Sequence, residues 1–225
     1  MNFKVSFLNL IPTLCRDFLL VNVSNKANEK MLKINKPVVL ASASPRRQHL
    51  LKQIGLNFIV HPSGIDEDSH SFPTPEEYVL NLSKKKAYEV AKNYGDALII
   101  SADTIVVLDG EIINKPKNPD EAKQMLRKLS GKTHKVYTGF TILDTKTKKT
   151  LSDFEVTDVK FRELTDEEID EYVATGSPLD KAGAYGIQDD YGAVFVERIN
   201  GCFYNVVGFP LTKFYLAMKK FLSDD

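Results

Sequence analysis

Only two cysteines, Cys15 and Cys202, occur in the 225 residues, and they form neither a CxxC pair nor a zinc-ligand spacing. A disulfide scaffold and a structural zinc domain are thereby excluded, and the chain reads as one for a reducing, cytoplasmic compartment. The four histidines (His49, His61, His70 and His134) are scattered and make no HExxH. No run reaches the ~18 apolar residues of a membrane span, so no membrane partner is expected. Charge of one sign is also missing, since 30 basic residues balance 30 acidic ones. A neutral chain lacks the basic bias of a nucleic-acid coat, and the expected partner is a small molecule. What is present is a globular composition, 43% hydrophobic, in a chain long enough to bury a core.

Residues 1–36 read as an N-terminal extension, poorly ordered, ahead of a domain covering 37–225. Apolar patches between Phe3 and Val23 are interrupted by Asn9, Pro12, Arg16 and Asp17, which argues against a secretory signal. Acids are scarce before Asp17, so organelle targeting by residues 1–30 stays open.

From Val38 the punctuation is regular. A short apolar strand, Val38 to Ala41, precedes Ser44-Pro45, an N-cap with a first-turn proline, and Gly55 stops the helix that follows. Asn57 to His61 reads as a second strand. Glu76 to Asn93 reads as a long helix with Val79, Leu82, Lys86 and Val90 along one side. Ala97 to Leu108 is the strongest β signal, closed by an Asp109-Gly110 hairpin turn. Asn118-Pro119 opens another helix, and Ser130-Gly131 closes it. Lys135 to Leu143 and Leu151 to Phe161 are extended, and Thr165 with Glu168 makes a capping box. Gly192 to Ile199 and Phe203 to Val207 flank an Asn200-Gly201 turn. Pro210 starts a last helix with Leu211, Phe214, Tyr215 and Met218 facing inward. No repeat period is visible, and strands interleave with helices, as in an α/β protein.

Four positions in three places bear on function: Arg46 with Arg47, Asp103, and Lys86. Arg46 and Arg47 occupy the first turn of a helix, whose N-terminal dipole favours acids. Two guanidinium forks there call for an anion, and the hydroxyls of Ser42 and Ser44 add donors, which together suggest a phosphate cradle. The alternative is a pair of solvated arginines behind an ordinary cap. Asp103 lies inside an apolar strand, Ile99 to Val107, where burial of a lone carboxylate is costly and demands a metal ion or a lysine; a solvated break between two strands is the alternative. Lys86 falls in the apolar stripe of its helix, where by itself it reads as a lysine that snorkels. Lys115 closes the strand after the hairpin, and Glu67 belongs to an acidic loop suited to solvent or to a divalent metal. Gly131-Lys132-Thr133 looks like the end of a P-loop, but it follows a helix and lacks the earlier glycine.

The run Leu40-Ala41-Ser42-Ala43-Ser44-Pro45-Arg46-Arg47 resembles the opening motif of the Maf family of nucleoside triphosphate pyrophosphatases. Ser101 to Val106 with Lys115-Pro116, Leu129 to His134, Pro178 to Gln188, and Val206 to Leu211 are similar to four further motifs, in order. The resemblance implies a Maf/Ham1 (ITPase-like) α/β fold: an elongated mixed sheet in two lobes, flanked by helices, with a central cleft. It implies hydrolysis between the α- and β-phosphates with a divalent cation, Mg or Mn, as cofactor. By position, Ser42, Ser44, Arg46, Arg47, Lys86 and Lys115 would hold the triphosphate, while Glu67 and Asp103 would bind the metal or activate the water. Thr104 and Gln188 match the branch that takes dTTP and UTP, and an amide such as Gln188 can pair with the donor–acceptor edge of uracil. The branch acting on 7-methyl-GTP differs at both positions. A homodimer is expected. A nucleotide-binding regulator of cell division is the non-enzymatic alternative, and it would not need Asp103 and Glu67. Asp103→Asn is expected to stop turnover with folding largely intact.

Overall fold

The hydrophobic periodicity and the turn signals resolve into one mixed sheet with helices on both faces. The computed structural model describes residues 32–66, 72–188 and 191–223, and Ile34–Asp225 forms one compact unit. The expected extension, residues 1–36, falls almost entirely outside the described residues, as does Glu67. Among the described residues no helix is long and apolar enough to cross a membrane.

In chain order the elements are β1 (Val38–Leu40), α1 (Pro45–Gln53), β2 (Ile59–Val60), α2 (Pro75–Ala91), β3 (Leu98–Leu108), β4 (Glu111–Ile113) and α3 (Pro119–Leu129). They continue with β5 (Thr133–Asp144), β6 (Thr150–Phe161), α4 (Asp166–Ala174), two 3-10 turns at Ser177–Asp180 and Ala182–Ala184, α5 (Gly192–Phe195), β7 (Val196–Asn200), α6 (Phe203–Val207) and α7 (Leu211–Ser223). Local chemistry explains the helix starts. Ser44, Thr74 and Asn118 each cap a helix whose first residue is proline, and Thr165 with Glu168 closes a full capping box. Each such cap contributes about 1 kcal/mol.

The strands run in the order β2-β1-β3-β5-β6-β7, with β4 also on β3. β1 is parallel to both its neighbours, and the other pairings are antiparallel. β3 and β5 pair over ten residues and form the spine. Asp109 and Gly110, both with positive φ (53° and 81°), make the tight turn into β4. Alternation along β3 divides the core. Ile105 and Val107 pack with Tyr78, Val79 and Leu82 of α2 on one face. Val106 and Leu108 pack on the other with Leu126 of α3, Ile169 of α4 and Phe161.

Three expectations need correction. The second strand shrinks to two residues, both exposed, because its other edge has no partner among the described residues. The Asn200-Gly201 turn joins a strand to a helix: Phe203–Val207 folds over the sheet, where the buried Asn205 amide donates to the Val136 carbonyl (2.9 Å) and to Thr157 Oγ1 (3.0 Å). In α7 the inward face is Leu211, Phe214, Met218 and Phe221, while Tyr215 is only half-buried.

Candidate active site

The edge of β3 opposite β5 is used at both ends and open in the middle. β1 takes Leu98 to Ile100, β4 takes Val106 to Leu108, and among the described residues no strand pairs there with Ser101 to Ile105. Leu98 N and Ile100 O bond toward β1. By strand alternation the main-chain groups of Ala102 and Thr104 therefore face the same gap. A cavity of about 510 Å³ lies over this gap, and a second of about 420 Å³ shares Ile65, Asp103, Thr104, Lys115 and Ala182 with it.

Asp103 sits at this open edge, 3% exposed, and its Oδ1 accepts a hydrogen bond from Lys86 Nζ at 2.6 Å. The required cation is thus a lysine, itself 5% exposed. The pair forms because α2 lies unusually close to the sheet. A Cβ on Gly139, the cross-strand partner of Asp103, would stand 2.6 Å from the main chain of Val79. Ser101 Oγ donates to the Ser83 carbonyl at 2.6 Å, and Ser83 Oγ meets Thr141 Oγ1 at 2.9 Å. These small and hydroxylated residues bring Lys86 down onto β3.

The opening helix motif supplies the other wall. Ser44 caps α1, its Oγ accepting from Arg47 N. The Arg47 guanidinium is tied to three neutral oxygens: Nε to the Gly208 carbonyl (3.0 Å), NH1 to Ser42 Oγ (3.2 Å) and NH2 to Thr104 Oγ1 (3.0 Å). Gly208 holds φ 119° at the end of α6, where Phe209 N and Gly208 N close back on Tyr204 and Asn205. Thr104 also meets Thr138 Oγ1 at 3.0 Å, and Thr138 donates to the Asn205 carbonyl. One guanidinium therefore joins α1, β3 and the turn after α6.

Arg46 has the anion that its place at a helix N-terminus demands. Its NH1 donates to Asp180 Oδ2 at 2.7 Å, reaching across the cavity to the first 3-10 turn. Lys181, 7% exposed, donates to the other Asp180 oxygen at 2.8 Å and to the Ser177 carbonyl at 2.6 Å. Burial pushes the Asp180 carboxyl up, but the bonds from Lys181 and Arg46 outweigh it and hold the group below the usual carboxylate range.

Ser42, Ser44, Arg46, Arg47, Lys86, Asp103, Thr104, Lys115 and Gln188 all line the larger cavity, so the structure brings together every expected residue that it describes. Lys115 is exposed and faces both cavities. Asp180, Lys181 and Asn205 were missed as site residues. The adjacent charges of Asp180-Lys181 in a Gly-rich loop were a usable signal, whereas nothing local marks Asn205. Asp66 joins Asp103 around the second cavity. Among the described residues no three His, Cys, Asp or Glu side chains cluster as a metal site. The described donors are the buried Asp103 carboxylate and, across the second cavity, Asp66, oxygen ligands that suit a hard divalent cation completing its shell from water and phosphate oxygens.

A family model described as Maf-like protein matches residues 37–221. A dTTP/UTP pyrophosphatase of Caldicellulosiruptor saccharolyticus is 50% identical over 189 residues, spanning 82% of this chain and 94% of that protein. Those of Clostridium tetani (48% identical, 81% of this chain and 96% of that protein) and Bacillus cereus (46%, 84% and 97%) are similarly placed. The solved Ham1 protein of Staphylococcus aureus aligns with TM-score 0.40 and 14% identity over 56% of this chain and 72% of that one, too small a likeness to carry an argument. The sheet order and the cavity stand on their own geometry.

Proposed function

This chain belongs to the Maf-like protein family, and on that premise we propose that it hydrolyses dTTP, UTP and related pyrimidine nucleoside triphosphates to the monophosphate and pyrophosphate. The observation that carries this reading is the buried Lys86–Asp103 pair at the open edge of β3, facing a cavity rimmed by Arg46, Arg47 and Lys115. A carboxylate aimed at a cleft crowded with cations suits water attack on a polyanion.

The roles follow from chemistry. Arg46, Lys115 and the Ser42 and Ser44 hydroxyls take the phosphate oxygens, and Arg47 holds its guanidinium plane on Ser42, Thr104 and the Gly208 carbonyl. Lys86 holds Asp103 in place through its hydrogen bond. Water attacks phosphorus, its proton passing to Asp103 or Glu67, and the bond to the bridging oxygen breaks as pyrophosphate leaves with its charge spread over the cations. A divalent ion would be held by Asp103 with the acidic loop at Asp66 and Glu67, and when bound it would neutralise phosphate charge. Gln188, which lines the same cavity as Val106, Val136 and Tyr185, offers the amide for a uracil or thymine edge.

The test is pyrophosphate release from a panel of nucleoside triphosphates with Mg, with Mn and with chelator. Metal-dependent release from UTP or dTTP, with matching monophosphate, is expected. Release mainly from 7-methyl-GTP would keep the reaction and overturn the assignment of Thr104 and Gln188. Binding without release would leave a nucleotide sensor.

A further inference from the structure

His134 lies outside the catalytic pair and inside the core, 1% exposed on β5. Its Nε2 is 2.8 Å from the Tyr185 hydroxyl, and the Phe161 ring meets both edge-on, with centroids 5.0 and 4.7 Å away. Its Nδ1 is buried with no hydrogen-bond partner among the described residues. A phenylalanine would fill the slot without stranding a polar atom. Packing therefore does not account for the histidine; the bond to Tyr185 does.

Tyr185 opens the turn Gly186-Ile187-Gln188 and, with Gly186 and Gln188, lines the larger cavity. Two tightly packed glycines flank that turn. Gly183, at φ 70°, leaves no room for a side chain against Val106 of β3, and a Cβ on Gly192 would stand 2.5 Å from the Gly186 carbonyl. The His134 bond is a side-chain tether between the turn and β5 of the sheet spine, three residues from Gln188.

We propose that His134 is a positioning residue, which by bonding Tyr185 fixes the Tyr185–Gln188 turn on the cavity wall and thereby sets pyrimidine recognition. The proposal rests on the reading of Gln188 as the group that meets the base. Asp103 projects from the opposite face of β3 to Val106, where it meets Lys86 of α2, so the effect falls on binding and selectivity rather than on the chemical step.

The experiment uses His134→Phe, Tyr185→Phe, their double variant and His134→Gln, whose amide can restore a bond to Tyr185. Each is measured for KM and kcat on UTP, dTTP and CTP, and for binding of a non-hydrolysable UTP analogue. The double variant removes both polar partners together, so it is expected to fold as well as the wild type. In it KM for UTP and the analogue Kd rise by about tenfold, the loss of one positioned hydrogen bond. The UTP-to-CTP preference shrinks and kcat changes little, and His134→Gln recovers part of the preference. Unchanged KM and preference in the folded double variant, or a fall confined to kcat, overturns the proposal. A wild type that binds the analogue without turnover removes the hydrolase reading, and the Kd series then decides the role of His134 alone. A wild type that binds no nucleotide overturns both.

Discussion

An aspartate among strand hydrophobics needs a cation, and Lys86 provides it at 2.6 Å. The anomaly of Asp103 was legible in sequence; its partner, seventeen residues away on a helix, was one of two chemistries left open. The pairing changes what a substitution should do. Asp103→Asn is expected to abolish turnover, but it also leaves the nearly buried Lys86 ammonium without its carboxylate. A loss on the order of 3 kcal/mol should accompany the lost activity. Chemical denaturation of the variant checks this: a wild-type midpoint would mean that water or another group serves the lysine. His134 gives a second prediction at this scale. Burial lowers its imidazole from 6.5 to about 4. Between those values the unfolded chain binds a proton that the folded chain does not. Stability is therefore full above pH 6.5 and falls as pH drops toward 4, by about 3 kcal/mol. The difference in denaturation midpoint between the wild type and the His134→Phe/Tyr185→Phe variant, followed from pH 7 to pH 4, should show this slope in the wild type alone.

At the scale of elements, sequence and structure agree where the signal is local. The caps at Ser44, Asn118 and Thr165 are in place, because a hydroxyl, amide or carboxylate meets main-chain donors only three residues away. They diverge where one element rests on another. The helical fold of Phe203–Val207 depends on Asn205 reaching β5 and β6, contacts made across 69 and 48 residues. The approach of α2 to β5 likewise depends on a glycine that no turn requires. Gly139→Ala would press a methyl against the Val79 main chain, which cannot swing aside as a side chain can. Destabilisation of about 1–3 kcal/mol is expected, with a loss of activity as Lys86 is lifted from Asp103. Thermal melting and the UTP assay check the two parts; an unchanged melting temperature would show that α2 shifts freely.

For the whole molecule, the decisive feature is that β3 is longer than either strand on its outer edge. β1 and β4 cover its ends and leave Ser101 to Ile105 open, so a cleft forms where main-chain groups and an acidic side chain meet. If triphosphate enters here, the Ala102 and Thr104 amides should exchange with solvent readily in the free protein and slow on binding a non-hydrolysable UTP analogue. Hydrogen exchange resolved by residue measures this, and protection spread evenly over β3 would place the ligand elsewhere.

The sequence by itself determined the alternation of elements, the helix starts, the absence of a disulfide or zinc scaffold, and the residue types of a polyanion site. Those properties depend on composition, periodicity and contacts within a few residues, which linear order records directly. Only the tertiary structure decided that Lys86 is the partner of Asp103, that Arg46 meets Asp180, and that Arg47 is held by Thr104 and the Gly208 carbonyl. These pairs are separated by 17 to 161 residues. They are brought together by sheet order and by the close approach of α2 at Gly139, neither of which any short stretch of the chain encodes.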